Sequence, residues 1–339
     1  MTNEFSPAWW LRNPHAQTLW GKFFRRQEIQ PTVIRRLETP DADFLELHRL
    51  DRGPVNAPRL LILHGLEGGA RSHYAQALLG EATARGWNAD LLVFRSCGSE
   101  MNRAKRLYHS GETTDLSLAV DTIVNEDPAR PLLLAGVSLG GNVLLKFLGE
   151  RHHDLPDAIR GAAAVSVPFD LSRSARYIDR GFSKVYQRSF VDSLRRKALA
   201  KLERYPDLAD PEKLMQIRTM NDFDNLITAP LHGFTDAEDY YQKSSSIYWL
   251  AKIRLNTLLL NAVDDPFLPP EVLDEVKEIA SRNPALHLEL PLHGGHTGFI
   301  GGGNPLRPRY FAERRVGGFL AAELRGSRAG SYPQSVSVT

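Results

Sequence analysis

The sequence predicts an α/β fold: a mostly parallel central sheet flanked by helices, with a helical lid inserted late in the chain. Three observations carry this. Short apolar runs alternate with longer amphipathic patterns, the signature of strands joined by crossover helices. The apolar runs are nearly continuous, as in strands buried on both faces. The rhythm breaks once, between residues 170 and 250, where the chain turns polar, basic and helical.

The elements follow in order. "QEIQPTVIRRLETPDADFLELHRL" (27–50) reads as antiparallel strands at one edge. "RLLILHG" (59–65) is a buried strand ending at Gly65, and "SHYAQALLGEATARGW" (72–87) a helix with Ser72 as cap and Gly86 as stop. "NADLLVFRS" (88–96) is the next strand. "ETTDLSLAVDTIVNE" (112–126) is a helix, with apolar residues at 116, 119, 120, 123 and 124. "PLLLAGVS" (131–138) is a strand, "GGNVLLKFLGER" (140–151) a helix and "GAAAVSVPF" (161–169) a strand. Two late strands, "NTLLLNAVDDP" (256–266) and "ALHLELPLHGGH" (285–296), flank the helix "PPEVLDEVKEIASR" (269–282). The expected organisation is an N-terminal segment 1–26 packing on the domain, a first core part 27–169, a lid 170–250, a second core part 251–325, and a polar, disordered tail 326–339.

Composition narrows the function. A net charge of +2 over 339 residues gives no field that would draw the chain to nucleic acid. A lone cysteine, Cys97, cannot form an internal disulfide, which favours a reducing compartment. The N-terminus lacks the marks of a secretory signal, and no stretch approaches the roughly 18 apolar residues of a spanning helix. A cytoplasmic protein is expected. "AWWLRNPHAQTLW" offers Trp9, Trp10 and Trp20 for peripheral membrane contact, but it has no continuous basic face, so packing on the domain is the preferred reading.

One pentad decides the chemistry. Gly136-Val137-Ser138-Leu139-Gly140 fits G-x-S-x-G, with a strand before it and a helix after it. Such a turn is so tight that its neighbours have little room for a Cβ, and it lifts the serine hydroxyl clear of the sheet. A serine hydroxyl is a weak nucleophile and needs a base. The order serine, acid, histidine leaves His287, His293 and His296 as candidates. His287 alternates with apolar residues inside a strand. His296 lies deeper than His293 in "HGGHTGF", with glycines that let it swing over Ser138. The acid should end the preceding strand, where "NAVDDPFLP" offers Asp264 and Asp265; Asp265, directly before Pro266, is favoured. An oxyanion needs two N–H donors. Leu139, just after the nucleophile, supplies one, and Leu66 in "LHGLEGG" the other, with His64 holding that loop. A metal site would need three or four convergent ligands, and none is expected. His109, Glu112 and Asp115 in "YHSGETTD" either line the pocket or, as preferred, cap the following helix.

Taken together, these residues resemble the α/β-hydrolase superfamily, and within it the YheT-like group, which also holds abhydrolase-domain proteins 1 and 3. "NPHAQTLWG" (13–21), "LHGLEGGARSHY" (63–74), "FRSCGSE" (94–100), "LYHSGETTDL" (107–116), "GVSLGGNVLLKFLGE" (136–150) and "ITAPLHGFTDAEDYY" (227–241) carry the resemblance. It implies an α/β-hydrolase fold and a Ser138-Asp265-His296 triad acting on a carboxylic or lipid ester, with no metal or organic cofactor. The expected partner is a small-molecule acyl ester. Eukaryotic relatives carry an N-terminal membrane anchor that this sequence does not show. Two rivals remain open at this point: an acyltransferase passing the acyl group to an alcohol on the same triad, and a non-catalytic binding protein on the same fold.

Overall fold

A computed structural model describes residues 5–25 and 28–326. The expected disordered tail therefore lies almost wholly outside the described residues.

Eight strands form one sheet: β1 (Val33–Glu38), β2 (Phe44–Leu50), β3 (Arg59–Leu63), β4 (Asn88–Val93), β5 (Leu132–Val137), β6 (Ile159–Val165), β7 (Thr257–Leu260) and β8 (Leu286–Glu289). Their order is β1-β2-β4-β3-β5-β6-β7-β8. β1 pairs antiparallel with β2, and β2 with β4; every later pairing is parallel. Parallel strands need crossovers, and here they are α2 (His73–Ala84), α3 (Thr114–Glu126), α4 (Leu139–Glu150) and α11 (Pro270–Arg282), preceded by α1 (Pro14–Phe24) and followed by α12 (Ala312–Gly326). β3, β4 and β5 are buried at every position, so their uninterrupted apolar runs have a physical cause: helices cover both faces. One face packs Leu61, Leu134 and Leu259 against α3 and α4 residues such as Leu116 and Leu144. The other packs Ile62, Leu133 and Leu258 against α2 and α12 residues such as Leu78 and Leu320. Ser72 sits at the start of α2 but does not cap it; its Oγ accepts the Gly69 N–H instead.

Between β6 and β7 the chain runs through α5 (Leu171–Ile178), α6 (Lys184–Leu202), α7 (Pro211–Gln216), α8 (Met220–Phe223), a π-helical turn (Asp224–Thr228), α9 (Ala229–His232) and α10 (Ala237–Ser244). This run has a small apolar core of its own, with Val191, Leu194 and Ala198 of α6 against Leu214, Phe223 and Ile227. None of the described helices is long and apolar enough to cross a membrane.

A buried charge cluster ties the open edge of the sheet to the crossover after β4. Arg95 reaches Asp115 with two parallel hydrogen bonds of 2.7 Å, and its other terminal nitrogen reaches Asp41 and Asp43 at 2.8 Å. The Arg95, Asp43 and Asp115 side chains are all nearly inaccessible. Removing the guanidinium would strand two buried carboxylates. Arg95→Met is therefore expected to cost about 3–5 kcal/mol of unfolding free energy, read as a lower urea midpoint at unchanged slope.

Candidate active site

The turn after β5 places Ser138 at φ 55° and ψ −122°, a backbone conformation that a residue with a Cβ rarely adopts. Hydrogen bonds hold it on both sides: Ser138 N–H donates to the Val165 carbonyl of β6 at 2.8 Å, and Asn142 N–H donates to the Ser138 carbonyl at 3.0 Å. The glycines around it are sterically required. A Cβ on Gly136 would lie 2.4 Å from the Gly140 carbonyl oxygen, and one on Gly140 would lie 2.5 Å from that of His64. Their absence lets α4 start directly against β3.

Two loops from distant parts of the chain complete the constellation. His296 Nε2 lies 2.9 Å from Ser138 Oγ, and its Nδ1 lies 2.9 and 3.1 Å from the two oxygens of Asp265. Asp265 also accepts the Phe267 N–H at 2.9 Å, and the Phe267 ring stacks on the His296 imidazole with centroids 4.0 Å apart. Asp265 and His296 are both buried. The two aspartates divide their partners: Asp264 faces His293 Nδ1 at 3.1 Å and accepts the Gly295 N–H at 2.9 Å. The sequence motifs thus bring Ser138, Asp265 and His296 together, with Asp264 and His293 forming a second pair that fixes the loop.

Where the sequence suggests glycines that let His296 swing, the structure shows them required by close packing. Gly295 has φ 59°, and a Cβ there would sit 2.3 Å from the Pro14 carbonyl oxygen of α1. The loop is clamped against α1: His296 N–H donates to Thr18 Oγ1 at 2.9 Å, and Ile300 N–H donates to Gln17 Oε1 at 2.7 Å. Thr297 N–H adds a bond to Ser166 Oγ at 2.9 Å.

Leu66 and Leu139 both line the cavity beside Ser138. Leu139 opens α4, where N–H groups have no helical acceptor. The N–H groups flanking Leu66 are taken: Gly65 donates to the Tyr74 hydroxyl at 2.9 Å, and Glu67 to the Tyr108 hydroxyl at 2.7 Å. His64 holds this loop, as its position suggests. Its Nδ1 bonds the Gly65 carbonyl at 2.8 Å, its Nε2 accepts the Phe94 N–H at 3.1 Å, and burial pushes it down to about 4. Glu67, at φ 53°, reaches across to α6, where Lys197 Nζ and Ser193 Oγ donate to its carboxylate at 2.7 and 2.5 Å.

The cavity measures about 120 Å³ and is mostly apolar. Core residues form its floor; α5, α6, α8 and α10 supply much of the wall, through Leu171, Ile178, Phe190, Phe223 and Tyr240. Asn142, a polar residue in the otherwise apolar run of α4, joins floor to wall. It donates to the Ser110 and Ser244 carbonyls at 2.8 Å and accepts the Ser246 N–H at 2.9 Å.

Among the described residues, one group of donors has metal-ligand spacing: ligand atoms of His109, Glu112 and His232 all lie within 4.8 Å of one another. Its chemistry argues against a cation. Glu112 already accepts from the Arg106 guanidinium and from the Thr114 N–H and hydroxyl. Burial pushes both imidazoles down, His232 to about 3; the neighbouring His232 and then Arg106 add to it at His109, and Arg106 at His232. Glu112 thus serves the start of α3 and Asp115 anchors Arg95, while His109 lines the cavity.

Residues 58–302 match the model of a family described by its alpha/beta hydrolase fold. The chain belongs to the α/β-hydrolase family. Within it, the chain is 39% identical to YheT of Escherichia coli, whose name marks it as a candidate esterase, over 95% of this chain and 94% of that one. It is 34% identical to a monoacylglycerol lipase of Saccharomyces cerevisiae over 72% of this chain and 55% of the yeast protein. It is 26% identical to phospholipase ABHD3 of Mus musculus, over 89% and 74% of the two chains. Among solved structures, the Pyrococcus furiosus esterase Pf2001 shares the fold at a TM-score of 0.57 and 18% identity, covering 86% of this chain and 91% of its own.

The steric reading of the turn is open to test. Gly140→Ala is expected to destabilise the protein by about 1–3 kcal/mol, because only backbone atoms stand in the way of the new methyl group. Gly303→Ala, where nothing lies within 4 Å, should leave the thermal midpoint almost unchanged.

Proposed function

We propose that the chain is a serine hydrolase that cleaves carboxylic or lipid esters through an acyl-enzyme. The observation that carries this reading is the continuous relay from Ser138 Oγ through His296 to Asp265, opening onto an apolar cavity. Ser138 Oγ attacks the ester carbonyl while His296 Nε2 takes its proton; Asp265 holds the imidazole with Nδ1–H pointing at the carboxylate. The negative oxygen of the tetrahedral intermediate lies between the N–H groups of Leu66 and Leu139. Collapse expels the alcohol, which leaves with the proton from His296. A water molecule, deprotonated by the same nitrogen, then attacks the acyl-enzyme and releases the acid. The helical run over residues 170–250 acts as the lid and shapes the acyl pocket. Relatives named for esterase, monoacylglycerol lipase and phospholipase activities support an ester substrate.

A fluorophosphonate probe tests this directly. The wild type should be labelled and Ser138→Ala should not, with hydrolysis of p-nitrophenyl esters falling by about 10⁴-fold or more in the variant. Asp265→Asn should lose about 10²–10⁴-fold in kcat, whereas Asp264→Asn should lose far less. A folded wild type that takes no label would sink the assignment. So would equal losses in the two aspartate variants, for the choice of acid.

A further inference from the structure

The cavity beside Ser138 is apolar along most of its wall, yet that wall contains a carboxyl group. Asp224 opens the π-helical turn between α8 and α9, is only 5% exposed, and lines the same cavity as Ser138 and His296. Burying a carboxylate is costly unless a cation or enough hydrogen-bond donors compensate it. Asp224 has two protein donors: Thr228 Oγ1 at 2.6 Å to one oxygen and Tyr241 Oη at 2.7 Å to the other. It has no ion-pair partner among the described residues. Burial dominates those two bonds and pushes its carboxyl up to about 6. A carboxylate accepts about four hydrogen bonds, so roughly half its capacity remains unused.

A purely structural role explains this poorly. A neutral Asn could accept one of these bonds through its oxygen and donate to the other hydroxyl through its NH2, without the desolvation cost of a charge. The backbone is also unusual here, since π turns are rare and frequent at functional sites. This turn runs from Asp224 to Thr228, and both residues line the cavity. Phe223, Tyr240 and Tyr241 line it beside them, and aromatic walls of this kind tolerate either a hydroxyl or a cationic head.

We infer that Asp224 is a specificity residue, binding a hydrogen-bond-donating group, a hydroxyl or an ammonium, at the end of the substrate remote from the ester. This rests on the serine ester hydrolase reading of the site. Substrates are then amphiphiles whose far end is polar, and plain alkyl esters of the same length leave the carboxylate unpaired in the cavity.

The experiment compares kcat/KM for three matched series of p-nitrophenyl esters, with methyl, ω-hydroxyl and ω-ammonium ends, across a range of chain lengths. Wild type and Asp224→Asn are assayed side by side, with Asp224→Ser as a second variant. Fluorophosphonate labelling of Ser138 reports that each variant is folded and competent. The expected result is a chain length at which wild type prefers a polar end over the methyl end by about tenfold or more, with that preference collapsing in both variants. The ratio of ammonium to hydroxyl substrates at that length tells which donor is read. Equal losses on all three series, or ratios unchanged by the substitutions, would overturn the inference while leaving the nucleophile assignment intact. If wild type neither labels nor turns over, the hydrolase reading fails instead. The subsite is then judged by thermal shifts with α,ω-diols against n-alkanols: a diol-specific shift lost in Asp224→Asn supports it, and equal shifts overturn it.

Discussion

A serine at positive φ survives only where its surroundings over-determine it, and much of this molecule is arranged around that requirement. β5 is paired on both edges, by β3 and β6, so the strand entering the turn cannot shift. α4, which leaves the turn, is buried over all but the last of its 12 residues. Strain of about 1–3 kcal/mol is small against that burial. The close approach of α4 to β3 follows from the same glycines, and it sets Leu139 beside the loop that carries Leu66.

The helices between β6 and β7 are bound to this centre by polar side chains, while their apolar residues pack largely among themselves. Asn142 fastens the start of α4 to the end of α10, to Ser246 just after it and to the loop holding His109. Glu67 joins the Leu66 loop to α6 through Lys197 and Ser193. Lys197 Nζ also lies 3.2 Å from Cys97, whose thiol burial pushes up to about 11. Glu67 is thus a point where α6 touches this loop, one residue from Leu66, which lines the cavity.

Much of this was legible in the sequence, for identifiable reasons. Periodicity exposed the sheet, because strands buried on both faces leave continuous apolar runs such as "RLLIL" and "LLLAGV". Chain order and turn chemistry separated Ser138, Asp265 and His296 from their neighbours. What stayed hidden depends on contacts far apart in sequence. Nothing local marks Gln17 and Thr18 as the clamp on the His296 loop, since their partners lie about 280 residues away. The glycines around His296 look like a hinge until α1 is seen pressed against them. α12 covers one face of the sheet through Val316, Phe319 and Leu320, contacts that only the fold reveals. Asp224 is an ordinary acidic residue in a polar stretch; only the fold turns it inward. Asn142 alone had a signal, a lone amide inside an apolar helix.

The clamp between α1 and the His296 loop also has a temporal meaning. α1 is made long before the loop it grips, because Thr18 and His296 are 278 residues apart. The strands β3 to β6 and the turn at Ser138 all precede that loop in the chain. The imidazole is seated only when residue 296 has been made and has found α1, a contact of high sequence separation that carries a large closure cost. A chain that stops short of this loop therefore holds Ser138 in its turn without the His296 contact.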